Sequence, residues 1–200
     1  MTFFRGVRFG SWALLMLCFV LPFAKGCNDR VDVPYQYAFA DPGGFLVYGL
    51  PFLYPLLFVG VALLAWRLEQ PARRQGLFQA LYLGSFGALT ALLVRWHVTF
   101  LGKTLDWPDY ELMLFLGLLV VWASMGVRAD RLVAEEIPSR LAVQWSVAAW
   151  MLVGMLFWLA DRLLGAWLAF AASTTVVLSY AGESVRRRLN ERSEAVRSHG

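Results

Sequence analysis

Six long apolar stretches separated by short polar segments dominate the pattern of this chain. Each stretch holds about 17 to 23 residues, which as a helix crosses a hydrocarbon layer of ~30 Å. The pattern therefore predicts an all-α, polytopic bundle of six transmembrane helices. The expected spans are 7–24, 44–66, 77–96, 111–127, 141–160 and 163–182.

The composition agrees with a membrane protein. Of the 200 residues, 59% are hydrophobic and 16% are charged, whereas a soluble domain has about 25% charged residues. The cations are dispersed among loops, which argues against nucleic acid as a partner. We expect residues 1–182 to form one transmembrane domain and residues 183–200 to form a basic cytoplasmic tail, with the lipid bilayer as the main partner.

The positions of the cations predict the orientation of the chain. Threading the six spans alternately through a bilayer leaves five of the 18 Lys and Arg residues on one side and the other 13 on the opposite side. Cationic loops stay in the cytoplasm during insertion, so both termini are expected to be cytoplasmic in a cell inner membrane. The five external cations are Lys25, Arg30, Arg95, Lys103 and Arg162.

Three connecting segments carry specific expectations. Residues 25–43 are predicted to be an external loop, ended by a turn at Asp41–Gly44 that stops any helix. Asp161 and Arg162 alone are predicted to join the last two spans. The tail is predicted to continue the last helix, since Glu183 and Arg187 are four residues apart, the spacing of a helical ion pair.

The N-terminus raises the question of processing. Arg8, an apolar stretch and Cys27 together imitate a secretory or lipoprotein signal. Lys25 departs from the small or apolar residues that precede a lipidated cysteine, and Ala24 stands where leucine is usual, so an uncleaved first span is favoured, with lipidation at Cys27 left open. Cys18 and Cys27 are expected to be free thiols. The short first span and acidic outer loops resemble those of small bacterial inner-membrane proteins, without a shared motif.

Pro51 and Pro55 make the second span a candidate for an irregular site. Each proline lacks an N–H group and frees a carbonyl about four residues earlier in the helix. Such carbonyls bind a cation or a hydroxyl in some proteins. The more common consequence is a kink that only shapes packing, and we favour that interpretation.

The sixth span is the most polar inside its apolar stretch. Its hydroxyls either bond a neighbouring helix or their own carbonyls, which is the favoured interpretation, or line a path for a polar solute. These residues are Ser173, Thr174, Thr175 and Ser179. In the third span, Gly84 and Ala88 have the small-xxx-small spacing that permits close helix packing.

Sites for chemistry are sparse in the sequence. An external cluster of Cys27 and His97 with Asp106, Asp109 or another outer aspartate is a speculative metal site, although its spacing matches no metal motif. The chain has no phosphate loop, serine elbow or His-Glu-x-x-His motif. No ionisable residue lies in the middle of a predicted span, which argues against an ion-coupled carrier. We predict no cofactor, metal or catalytic residue.

Three functions remain open on this basis. The favoured hypothesis is a non-catalytic scaffold or accessory subunit that associates with other membrane subunits or with copies of itself. The first alternative is a carrier or channel for a small neutral or lipid-like solute, using the second and sixth spans. The second alternative is a membrane enzyme or redox partner that uses Cys27 or His97 on the external face.

Overall fold

The structure is a computed structural model that describes residues 2–25, 30–40, 42–68, 70–100, 109–126, 137–158 and 161–198. It is 89% helical, which confirms the all-α class. Each of the six apolar stretches overlaps one of the longer helices. In the described ranges the helices are α1 (Thr2–Cys18), α2 (Pro34–Ala38), α3 (Pro42–Gly44), a π-helical segment (Phe45–Gly49), α4 (Leu50–Arg67), α5 (Pro71–Phe100), α6 (Asp109–Gly126), α7 (Ile137–Trp158) and α8 (Leu164–Ser198).

Several helices have the length and the apolar composition of membrane-spanning helices. Within the described residues, three helical segments are long and apolar enough to cross a membrane, by length and composition: Pro42–Val61, Pro71–Arg95 and Leu164–Glu194. A shorter apolar segment covers Leu114–Gly126. Large apolar side chains such as Val120, Leu178 and Val98 are also well exposed on the outside of the bundle. These features indicate a membrane-embedded protein.

Consecutive long helices pack in opposite directions. Between α5 and α6, Tyr82 donates to the Met125 carbonyl near one end, while His97 contacts Phe115 at the other. Between α7 and α8, Trp150 donates to Thr174 Oγ1 over 2.9 Å. The largest helix interface, however, joins α1 and α8, which lie at opposite ends of the sequence.

Small residues on one face of α8 permit this close packing. Ala166, Ala169, Ala172 and Val176 recur at helical spacing and are all buried. In lipid, helices gain little from hydrophobic association, so close backbone approach and polar contacts stabilise their packing instead. Buried small residues on α8 therefore allow neighbouring helices to approach it closely.

A three-stranded antiparallel sheet closes one end of the bundle, called the sheet end below. Its central strand β1 (Ala24–Lys25) pairs with β2 (Val31–Asp32) on one side and β3 (Asp161–Arg162) on the other. Backbone bonds extend the pairing, because Phe23 N–H donates to Asp32 O over 2.9 Å and Leu163 N–H donates to Phe23 O over 3.1 Å. The sheet thereby links the segment after α1 to the segment before α8.

The first helix is shorter at its C-terminal end than expected. We predicted that the first span continues to Ala24, but α1 ends at Cys18. Pro22 lacks the N–H group that a helix needs, and its carbonyl instead accepts a bond from Gly165 N–H over 2.9 Å. The apolar residues beyond the helix, Phe19 and Phe23, are buried at the sheet end. The apolar character of these two residues therefore reflects burial at the sheet end and not a longer helix.

The turn expected at Asp41–Gly44 is also wrong for its described residues. Pro42–Gly44 forms the first helical turn of a continuous segment that leads into α4. Proline suits the first turn of a helix because its missing N–H would have no partner there. The loop expected at 25–43 is likewise partly regular, since it contains β2 and α2.

Asp161 and Arg162, predicted to join the last two spans, form β3, and α8 begins at Leu164. The tail continues the last helix, as predicted. Helix α8 continues without a break to Ser198. The expected ion pair within it is present, with Arg187 Nη2 3.3 Å from Glu183 Oε1.

The packing expected at Gly84 is not found within the described chain. A methyl group added at Gly84 would have no atom within 4 Å apart from its own helix. Gly165 is different, because a methyl group there would collide with the carbonyl oxygen of Pro22. The close contact at a glycine is therefore at the start of α8, where Gly165 meets the Pro22 carbonyl.

These two glycines give a matched pair of variants. We expect Gly165→Ala to lower the free energy of unfolding by about 2 kcal/mol, since backbone atoms at the sheet end must move apart. Gly84→Ala should leave stability unchanged or raise it by up to about 1 kcal/mol through helix propensity. Unfolding in mild detergent, followed by circular dichroism, measures both. Equal effects of the two substitutions would contradict the backbone contact at Gly165.

Candidate functional site

A cluster of charged and aromatic residues lies where α1 meets α8, at the end of the bundle opposite the sheet. The Arg8 side chain is almost fully buried, and its Nη1 donates to Glu183 Oε2 over 2.5 Å. The same guanidinium lies 4.3 Å from the centre of the Tyr180 ring. Arg187 contacts the second oxygen of Glu183. We call Arg8, Tyr180, Glu183 and Arg187 the Arg8 cluster.

Burial explains why this cluster holds together. The side chains of Arg8 and Glu183 are 9% and 17% exposed, so each ion has lost most of its contact with water. An unpaired charge in such a place is costly, whereas a charge-assisted hydrogen bond and the face of an aromatic ring offset much of the desolvation. The pair therefore fixes α1 against α8 at this end.

A chain of hydrogen bonds leads from α1 into the core. Trp12 Nε1 donates to the Tyr54 hydroxyl over 3.1 Å, and Tyr54 donates to Ser146 Oγ over 3.4 Å. Ser146 in turn donates to the Ala142 carbonyl over 2.5 Å. Tyr54 and Ser146 are each only 1% exposed. Buried polar groups need hydrogen-bond partners, and this chain of bonds supplies them while it ties together α1, α4 and α7.

A cavity of about 880 Å³ opens beside the Arg8 cluster, between α6, α7 and α8. Helix α7 contributes Arg140, and α8 contributes Arg187 and Arg188. Hydroxyl groups of Ser139 and Ser184 also line it, together with further polar and small side chains: Ser124, Gln144, Tyr180, Glu183, Ala123 and Val143. The lining combines three cations and one carboxylate with apolar surface. The volume falls in the range of small-molecule sites.

The sequence did not single out this site. Arg8 and Glu183 are 175 residues apart, and no local pattern pairs them. From the sequence, Arg8 is interpreted only as part of a signal-like N-terminus and Glu183 only as a partner of Arg187. The available signal was that the predicted topology places both residues at the cytoplasmic end of a span.

The two prolines of the second span lie in the bundle interior. The π-helical segment Phe45–Gly49 comes directly before them, and Leu50 N–H bonds to Phe45 O, five residues back. A π-helical turn is rare, occurs mostly as a single turn within an α-helix, and is one of the known causes of a helix kink. Pro51 and Pro55 are both fully buried. Their surroundings favour a role in shaping the packing of α4.

The four hydroxyls of the sixth span all make hydrogen bonds within the bundle. Ser173, Thr175 and Ser179 donate to carbonyls of α8 itself, over 2.7 to 3.0 Å. Thr174 accepts the bond from Trp150 on α7. These contacts favour helix packing over a path for solutes.

The external cluster falls largely outside the described residues. Cys27 and Asp106 are not described, and Asp109 is described only as the first residue of α6. His97 lies in the last turn of α5, with its ring centre 6.5 Å from that of Phe115. Among the described residues, no group of three His, Cys, Asp or Glu side chains could hold a metal ion. The structure thus describes only one side chain of this set.

An aspartate of the loop that was predicted to be external has a defined place in the fold. Asp32, in β2, accepts a hydrogen bond from the Tyr37 hydroxyl over 2.6 Å. This bond to a carboxylate raises the pKa of Tyr37, with smaller contributions from burial and from the negative charge itself. Asp32 therefore helps to hold α2 to the sheet end.

Comparisons of the chain with models of known families, with curated proteins and with solved structures find no match. The geometry of the Arg8 cluster, the neighbouring cavity and the long last helix is therefore the basis for the function proposed below.

The contact between Arg8 and Glu183 can be tested by a double-mutant cycle. Arg8→Gln and Glu183→Gln should each lower the free energy of unfolding by about 2 kcal/mol, because each removes a charge-assisted hydrogen bond between two largely buried groups. The double variant should lose less than the sum, with a coupling of about 1 to 3 kcal/mol.

Titration with sodium dodecyl sulfate in mild detergent measures the four free energies. Arg5→Gln is the control, since Arg5 is an exposed cation on the same helix, and it should have little effect. Strictly additive losses at Arg8 and Glu183 would contradict an energetically coupled pair.

Proposed function

We propose that the chain crosses a bacterial inner membrane six times, with both termini on the cytoplasmic side. The excess of arginine on one side of the threaded spans supports this orientation. The opposite directions of packed neighbours, such as α5 and α6 or α7 and α8, support an even alternation of crossings. In this arrangement the Arg8 cluster lies at the cytoplasmic surface and the sheet end faces outward.

We further propose that the protein is a non-catalytic scaffold or accessory subunit of a membrane assembly. The observation that supports this role is the length of α8. Its 35 residues extend ~52 Å at the helical rise, about 20 Å more than the hydrocarbon layer needs. Residues 184–194 are all exposed, so this part of the helix forms a cytoplasmic projection.

One face of the projection is suited to a protein partner. Val185 and Leu189 are four residues apart on the same side of the helix and are 57% and 59% exposed. Arginines surround them, including Arg188 and Arg192. An apolar stripe flanked by cations fits an acidic, amphipathic helix of another subunit.

A second function is favoured by the cavity beside the Arg8 cluster. Its mixed apolar and cationic lining suits an amphiphile, which agrees with the lipid-like ligand of the carrier hypothesis. Binding of such a ligand is compatible with a scaffold role, since lipids stabilise many contacts between membrane subunits.

Cysteine labelling tests the orientation. In a background with Cys18→Ala and Cys27→Ala, a cysteine replacing Gln70 or Ser193 should be protected from a membrane-impermeant maleimide in intact spheroplasts. A cysteine replacing Arg30 should react, and all three should react after the membrane is permeabilised. Reaction of the Gln70 or Ser193 position in intact spheroplasts would reverse the topology.

Co-purification tests the scaffold role. After extraction in mild detergent, native mass spectrometry should detect the 22.6 kDa chain within a larger, reproducible complex. Leu189→Glu should release the partner, because it places a charge in the apolar stripe, whereas Glu191→Gln on the far side of the helix should not. A lone monomer from native membranes would contradict the proposal.

A further inference from the structure

A second cavity, of about 170 Å³, lies between α4, α5 and α7. Leu141 and Trp145 of α7 form its floor, and α4 and α5 form its walls. We call this space the lateral cavity. We propose that it binds one acyl chain of a membrane phospholipid. The site is separate from the cavity beside the Arg8 cluster, which lies between α6, α7 and α8.

The shape of the lateral cavity follows from one face of each helix. Lining residues seven positions apart lie on the same side of a helix after two turns. Such pairs mark the two ends of the lining on all three helices: Tyr54 and Val61 on α4, Phe78 and Ser85 on α5, Pro138 and Trp145 on α7. Two turns extend ~10 Å, so the cavity is an elongated column that follows the helices. An acyl chain in a bilayer has the same shape.

The chemistry of the lining fits a hydrocarbon. Phe58, Leu81 and Leu141 bring apolar surface from all three helices, and none of the described lining residues is charged. The hydroxyl of Tyr54, which also lines the cavity, is already bonded to Ser146. In a protein, an apolar cavity of about 150 Å³ stays dry and binds a hydrocarbon such as benzene. The lateral cavity is therefore suited to a hydrocarbon chain and not to a charged ligand.

The lateral cavity opens to the outside of the bundle between α4 and α5. These helices are consecutive, and a short connection usually makes such helices packed neighbours. Among the described residues, α4 and α5 instead each pack against α7 and make little contact with each other. Leu57, which also lines the cavity, is 56% exposed, whereas Leu141 and Trp145 on the floor are 3% and 5% exposed. A chain can therefore enter from the side and reach α7.

The depth of the opening identifies the source of the chain. Its walls, residues 54–61 and 78–85, lie within two segments that have the length and composition to span a membrane, Pro42–Val61 and Pro71–Arg95. At this depth a membrane-embedded bundle is surrounded by acyl chains and not by water. The lining of an empty cavity lacks dispersion contacts on one side. A chain of a neighbouring phospholipid restores these contacts when it fills the cavity.

Photo-crosslinking of the full chain in lipid vesicles tests this site. The vesicles contain a set of phosphatidylcholines, each with a diazirine at a different carbon of one acyl chain. Light should attach at least one of these lipids to Leu141 or Trp145 on the floor, and mass spectrometry of peptides locates the adduct. Adducts confined to outward-facing residues such as Leu83 and Val120, which are 64% and 68% exposed, would overturn the proposal.

Two substitutions should block the site from opposite walls. Ser85→Phe on α5 and Val61→Phe on α4 each place a ring in the column, so each should lower adduct formation on the floor about tenfold. Leu83→Phe is the matched control, because it places the same ring on the exposed side of α5, and it should leave the adducts unchanged. Unchanged adducts in both cavity variants, or an equal loss in the control, would refute the lateral cavity as the site.

Native mass spectrometry identifies the molecule that supplies the chain. Wild-type protein extracted from native membranes in mild detergent should retain one phospholipid per chain, and Ser85→Phe should lose it. Release of an isoprenoid lipid or a free fatty acid by this substitution would overturn the assignment to a phospholipid. Equal lipid retention by the two proteins would also contradict it.

Discussion

The contact between the first and last helices is the constraint on which the rest of the bundle depends. At the sheet end, Gly165 N–H bonds to the Pro22 carbonyl, and at the other end Arg8 bonds to Glu183. Small buried residues of α8 lie between these two contacts. Apolar side chains alone supply little association energy in lipid, so backbone and charged contacts at both ends determine how α1 is seated. The intervening helices pack within the frame that this pair defines.

Polar groups inside the bundle follow the same physical requirement. Tyr54, Ser146 and Trp122 are bonded to other helices or to helix carbonyls, because the interior supplies no water as an alternative partner. Each bond contributes modestly, but each also excludes packings in which its donor or acceptor would be left without a partner. The buried hydroxyls thus specify which helices are neighbours more than they add to stability.

The sequence predicted those features of the fold that depend on residues close together in the chain. Long apolar runs predicted the helices, and the Glu183–Arg187 spacing predicted an unbroken last helix, because helix formation depends on neighbouring residues. Contacts between distant segments were not accessible in this way. No residue near Pro22 indicates that its carbonyl bonds to Gly165, and no residue near Arg8 indicates that it pairs with Glu183. The helical start at Pro42 was missed because a proline and two glycines suggest a turn until their position at a helix N-terminus is known.

The candidate site could not be predicted from the sequence for the same reason. Pro51, Pro55 and the hydroxyls of α8 were chosen because they are unusual within an apolar stretch, and the structure surrounds them with packing contacts. The Arg8 cluster joins α1 and α8, which are remote in sequence, and the neighbouring cavity lies between α6, α7 and α8. Arginines that in the sequence indicate only orientation are brought to the lining of one cavity by α7 and α8. The Arg8 cluster and this cavity therefore lie at the end of the bundle that the proposed topology places in the cytoplasm, where the proposed partners would bind.

A distance between the two remote helices tests this account most directly. Spin labels placed at Arg5 on α1 and Arg186 on α8, both exposed, should lie within about 25 Å by pulsed electron paramagnetic resonance, because packed helix axes are about 10 Å apart. If α1 crossed the membrane in the opposite direction relative to α8, a further ~30 Å of hydrocarbon would separate the labels. A distance distribution centred beyond about 40 Å would contradict the pairing of the first and last helices.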